Sequence, residues 1–209
     1  MAVEENDRLR DVEGDRVQHE KFKRAVQQTY ELCRASAVPT QLKVEAYRMW
    51  AISEPDRKKA IRGLIDGIAE IDQRHGEDSP ESLPLRLHLG LVVAAESREE
   101  GTAILDRALT IQRKHYGAVS EQVADGYMHL AVVAQVAEDF TLAEHHYRSA
   151  IDIARKACGP ECRTLSTAIH ALANIVKRDP RRAGEVEALM REWEEAIPKQ
   201  PRRKRDEHP

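Results

Sequence analysis

Residues 143–161 read AEHHYRSAIDIARKACGPE. Ala143, Tyr147, Ala150, Ile151 and Ala154 fall at helical spacing, so one face of this stretch is apolar while Glu144, Arg148, Asp152 and Arg155 line the other. No proline or glycine interrupts the run before Cys158-Gly159-Pro160, where the glycine reads as a left-handed C-terminal cap. A second apolar run follows within a few residues, with Ile169, Leu172, Ala173 and Val176 on one face. The segment therefore predicts two helices joined by a short turn.

Working outward from Gly159, the same pattern recurs 42 residues earlier at Gly117 and 41 residues before that at Gly76. Nine positions before each glycine stands a small residue: Gly67, Ala108, Ala150. Twelve before it stands a large one, Leu64, Leu105 or Tyr147, and thirteen after it a leucine followed by a small residue: Leu89-Gly90, Leu130-Ala131, Leu172-Ala173. Agreement at four offsets in three copies marks a repeat. The paired small residues let two backbones approach, and a unit of this size buries its faces only by stacking on its neighbours. The pattern predicts an all-α fold with helices at about 17–36, 40–53, 56–75, 81–97, 99–115, 119–137, 140–157, 161–177 and 181–196, with Pro39, Pro55 and Pro180 at junctions. It divides the chain into a flexible N-terminus (1–16), one solenoid (17–197) and a basic disordered tail (198–209).

The quoted segment resembles the tetratricopeptide repeat (TPR) family, in the 42-residue variety typified by kinesin light chain. The resemblance runs through residues 99–177, is looser over 57–98 and 180–196, and fades before 56. It implies a right-handed α-solenoid of stacked antiparallel hairpins, whose concave groove is lined by the first helix of each hairpin and takes a peptide or helix of a partner. On that frame, groove positions fall 8, 11, 15 and 18 residues after each glycine. They are Pro84, Leu87, Leu91 and Ala94; Asp125, Met128, Val132 and Gln135; and Thr167, His170, Asn174 and Lys177. His88 and His129 stand one position over. Family members commonly grip peptide backbones with asparagines here, but this chain places only Asn174, and the paired lysine, arginine and asparagine of chaperone-type carboxylate clamps are missing.

Composition limits the functional classes. Of 209 residues, 41% are hydrophobic and 33% charged, so the chain is neither disordered by composition nor built for a bilayer, and its longest apolar runs, 89–95 and 130–134, are too short to span one. The polar, acidic N-terminus predicts neither a secretory signal nor a transit peptide. Three cysteines in irregular spacing predict a soluble, cytoplasmic protein without a disulfide framework. A net charge of −3 argues against a nucleic-acid binder, although Lys199, Arg202, Arg203, Lys204 and Arg205 form a basic tail against Asp206 and Glu207. That tail reads first as a solvated terminus, with nuclear import, weak contact to acidic lipid or RNA, and docking in the chain's own groove as alternatives.

No short catalytic or nucleotide-binding motif is present among those with a known mechanism, so no catalytic residue, no cofactor and no small-molecule substrate are predicted. Cys158 and Cys162 are four apart, which is not a common zinc spacing, and no second pair exists. They read as structural cysteines, with a reversible disulfide and a metal site as lesser alternatives, and no metal is predicted. His145 and His146 are adjacent and point about 100° apart on a helix, so they cannot serve one face. The leading expectation is a non-enzymatic adaptor, monomeric or part of a hetero-complex. The alternatives are a structural subunit assembling through the solenoid ends and a regulator acting through its basic tail.

Overall fold

A computed structural model describes residues 2–35, 37–160 and 162–196, with side chains from residue 18 onward except 19. The basic tail at 198–209 and Ile197 lie outside the described residues. Nine α-helices follow one another among the described residues: α1 (Ala2–Ala35), α2 (Thr40–Ser53), α3 (Arg57–His75), α4 (Leu83–Ala94), α5 (Arg98–Tyr116), α6 (Glu121–Val136), α7 (Phe140–Ala157), α8 (Arg163–Val176) and α9 (Ala183–Ala196). Short 3-10 turns at Pro80–Ser82 and Pro180–Arg182 lead into α4 and α9, and there is no strand among the described residues. The main departure from the predicted map is α1, which starts at Ala2. The polar first turns carry no apolar stripe from which periodicity could read a helix.

The helices gather into two compact units, residues 1–96 and 97–209. In the first, α1 through α4 pack each on the next, and α4 also meets α2. Its core holds Tyr30, Tyr47, Trp50, Leu64, Ile71 and Leu85. Tyr30 stacks on Trp50 with ring centroids 4.5 Å apart and planes 12° from parallel, and the Trp50 indole N–H donates to Gln27 Oε1 at 2.9 Å. Gly63 sits under that indole: a Cβ added there would stand 2.0 Å from Trp50 Cζ3. The buried polar centre of this unit is Lys43, whose ammonium pairs with Glu70, which also accepts from the Tyr47 hydroxyl at 2.9 Å. Burial opposes the Glu70 charge, but the hydrogen bonds from Lys43 and Tyr47 win and hold its carboxyl below the usual range.

In the second unit α5 through α9 likewise pack in sequence around Tyr147, Ile151, Ile169, Leu172 and Val176. The repeat offsets all map to buried sites. Ala108 and Ala150 are fully buried, as are Leu105 and Ala131, and Ala173 and Tyr147 are 2% exposed. The helix starts are fixed locally: Asp56, Ser97, Ser120 and Asp139 each accept a backbone N–H three residues on.

The helix ends use glycine differently from the left-handed cap expected. Gly76 (φ 96°, ψ 154°) and Gly117 (φ 81°, ψ 164°) combine positive φ with an extended ψ, a region in which a Cβ is scarcely tolerated, and Gly159 also has positive φ (71°). This turns the chain out of one helix and toward the next. The three copies thus share a backbone requirement as well as a sequence letter.

Ion pairs dock the last helix. On α7, Arg148 bonds Glu185 at 2.7 Å and Arg155 bonds Glu192 at 2.6 Å, both on α9, while Arg182 reaches back to Glu144 at 2.7 Å. The Arg182 and Arg148 guanidiniums hold the Glu144 carboxyl down at about 2.

Candidate functional site

The second unit carries most of its groove-position residues on α6 and α8, helices that bury their other side in the core. Helix α6 buries Val123, Ala124, Leu130, Ala131 and Ala134, keeps Asp125, Met128 and Gln135 half-buried and leaves Val132 exposed. Helix α8 buries Leu165, Ile169, Leu172 and Val176 and leaves Thr167, His170, Asn174 and Lys177 exposed. These eight positions are not equivalent. Gln135 Oε1 accepts from the buried Tyr147 hydroxyl at 2.7 Å, Met128 packs partly against the core, and the His170 ring lies 5.1 Å from that of Trp193 on α9. All three have work inside the fold. Val132, at 37% exposure, and Asn174 and Lys177 are open to solvent. Thr167 is exposed, but its hydroxyl bonds back to the Arg163 carbonyl at 2.9 Å.

Asp125 adds charge to this face. Partial burial raises its carboxyl above the ordinary range, with His129 working the other way from one turn along. The His129 Nδ1–H donates to the Asp125 carbonyl oxygen at 2.7 Å, so this histidine has a structural partner.

In the first unit, Leu87 is buried at 7% exposure, whereas Leu91 and Ala94 are half-buried and Pro84 is exposed. Helix α4 buries Leu83, Leu85, Leu87, Leu89 and Val93, which wrap around more than one side of it. Counting from a glycine cannot tell inside from outside on a helix that is apolar nearly all round.

Two further features stand on the second unit. The first is a cleft of about 520 Å³ formed by α5, α6 and α7. Its floor is apolar (Ala103, Leu130, Val133, Ala134, Leu142), and Arg98, Glu99, Thr102, Asp106 and His146 add polar groups. Arg98 is tied to Asp139 at 2.8 Å. Burial, helped by neighbouring His145, pulls His146 below the usual imidazole range, so it is neutral at pH 7, and its Nδ1 is buried without a partner. An apolar floor with carboxylates and a neutral imidazole suits a long side chain ending in a cation or a hydrogen-bond donor.

The second is the disulfide that the sequence left as a lesser alternative to unpaired structural cysteines: Cys158 and Cys162 are joined, with Cα atoms 5.4 Å apart, across the turn between α7 and α8. Cys33 is free. Glu121, at the start of α6, comes to the same place, its Oε1 3.6 Å from Cys162 Sγ and accepting from the Thr164 hydroxyl at 3.1 Å. No local motif could show this, because Glu121 lies 41 residues from Cys162.

No family model matches the chain, and none of the curated proteins does. Solved structures do match. BtubC (BKLC) from P. vanneervenii superposes with a TM-score of 0.61 at 19% identity, over 90% of this chain and 75% of that one. A Podosopora anserina protein of the kinesin light chain kind, with nearly identical TPR-like repeats, gives 0.58 at 18% identity over 87% and 93%, and a single-substitution variant of it gives 0.59 at 17%. At these identities the likeness is one of fold. The chain has the TPR-like helical-repeat fold that the family resemblance implied. No helix among the described residues is long and apolar enough to cross a membrane.

Proposed function

We propose that this chain is a non-enzymatic interaction scaffold that receives a peptide or an amphipathic helix of a partner protein on the outward faces of α6 and α8. The observation that carries this reading is the division of labour on those two helices. One side of each is packed to near-zero exposure, while Asn174 and Lys177 are exposed and Val132 is partly so, on the same helices as a partly buried acidic Asp125. A face that mixes an exposed valine with an amide, an ammonium and a carboxylate fits a short segment with one apolar anchor and polar flanks. The TPR-like fold supports the reading by analogy.

We place the protein in the cytoplasm and read it as a monomer or a component of a hetero-complex, without a cofactor or small-molecule substrate. The test is affinity capture from native lysate by the purified chain and by a Val132→Arg/Asn174→Arg variant, read by mass spectrometry. Both positions avoid the packing duties of Met128, Gln135 and His170, so the variant keeps its fold. A partner recovered by the wild type and lost by the variant supports the scaffold. Identical recoveries would refute binding at this face.

A further inference from the structure

We propose that, when its disulfide is reduced, the α7–α8 turn binds one thiophilic divalent cation of the Zn²⁺ class through Cys158, Cys162 and Glu121. The three residues come from three elements: Glu121 opens α6, Cys158 closes α7 and Cys162 caps the start of α8. Their ligand atoms lie within 4.8 Å of one another. A tetrahedral zinc with metal–sulfur bonds of about 2.3 Å and metal–oxygen bonds of about 2.0 Å has sulfur–oxygen edges of about 3.5 Å and sulfur–sulfur edges of about 3.8 Å. The distance of 3.6 Å from Glu121 Oε1 to Cys162 Sγ already matches the first edge. Breaking the sulfur–sulfur bond lets the second edge open by side-chain rotation alone.

Other features of the site suit a metal. The Thr164 hydroxyl holds the carboxylate oxygen that faces the sulfur, the kind of outer contact that orients a ligand. Cys162 is 5% exposed at a helix N-terminus, where the backbone N–H groups favour a thiolate. Two thiolates and one carboxylate select zinc-like ions over Mg²⁺ or Ca²⁺, and three protein ligands leave the fourth position to water.

The redox step balances with a dithiol as co-reactant. The protein disulfide takes two electrons and two protons from the dithiol, which leaves as its own disulfide. Metal binding then releases the two thiol protons to solvent. In a reducing compartment the dithiol state is the resting one. The two states fasten different things: the disulfide joins only the two ends of one turn, whereas the metal also ties that turn to α6.

The experiment is an anaerobic Co²⁺ titration of the full chain, phosphine-reduced or oxidised. The reduced chain should bind one equivalent with thiolate-to-cobalt charge-transfer absorption and tetrahedral d–d bands, release about two protons per metal, and yield the cobalt to Zn²⁺. The oxidised chain should show none of these. Cys162→Ser should abolish the tetrahedral spectrum, and Glu121→Gln, with unchanged circular dichroism, should weaken binding at least tenfold. Failure of the reduced chain to develop the charge-transfer band would overturn the proposal. So would equal binding by the oxidised chain, or an unaltered affinity in Glu121→Gln.

Discussion

Substituting Gly63 by alanine sets two local rules against each other. Alanine favours a helix interior over glycine by about 1 kcal/mol. Here the added methyl would lie 2.0 Å from Trp50 Cζ3, 2.7 Å from Cη2 and 3.1 Å from Cε3, so the indole must retreat by more than an ångström. It has little room to do so, being 4% exposed, stacked on Tyr30 and bonded to Gln27. Overpacking of this kind costs about 1–3 kcal/mol, and losing the indole hydrogen bond about 1 more. After the helix gain is subtracted, Gly63→Ala should destabilise by about 1–3 kcal/mol. Gly184, on α9, has nothing within 4 Å of its added Cβ, so Gly184→Ala should be neutral or stabilising by up to about 1 kcal/mol. Urea denaturation followed by far-ultraviolet circular dichroism compares the midpoints. In a Trp50→Phe background, which lacks the offending ring atoms, Gly63→Ala should cost less than it does alone. A Gly63→Ala protein as stable as wild type, or a cost unchanged by Trp50→Phe, would refute the account.

Other outcomes follow from the same geometry. Gly117→Ala should destabilise by about 1–3 kcal/mol despite the open space around it, because its backbone occupies a glycine region; thermal unfolding measures this. Glu70→Ala strands a lysine whose side chain is 4% exposed and should cost about 3 kcal/mol in urea titrations, more than Lys43→Met, which leaves a half-exposed carboxylate that water can reach. The Glu144 carboxyl is depressed to about 2 from 4.5, so its contribution is full above pH 4.5 and is lost as pH falls toward 2; Glu144→Gln should flatten that part of the stability–pH curve. Tyr147→Phe removes the hydroxyl that bonds Gln135 and should lower stability by about 1 kcal/mol by thermal unfolding.

Features that repeat or are local in sequence were legible. Gly76, Gly117 and Gly159 each impose a backbone state that only glycine takes cheaply, so the letter itself reports the turn. Ala108, Ala131, Ala150 and Ala173 were legible as small letters at fixed offsets, and all four are buried where successive helices pack. Helix bounds from α2 to α9 followed because proline and side-chain caps leave marks in sequence. Residues recruited by the third dimension were not legible. Glu121 looks like any acidic first-turn residue until α8 brings Cys162 to it, and His146 looks like one of a pair until α5 and α6 close over it. Leu87 shows a further limit, since an apolar surround leaves periodicity no contrast to work with. Gln135 and His170 share the register of Val132 and Asn174, and only their partners Tyr147 and Trp193 distinguish them.

The chain contains two tryptophans, Trp50 and Trp193, one in each compact unit. Trp50 is sealed beneath Tyr30, and Trp193 is half-buried beside the imidazole of His170. Each half of the molecule therefore carries its own fluorophore in its own surroundings. Replacing either indole by phenylalanine leaves a single-colour reporter of the other half. The order in which the halves unravel in denaturant, and which half a captured partner steadies, can then be read from emission spectra without attaching any label.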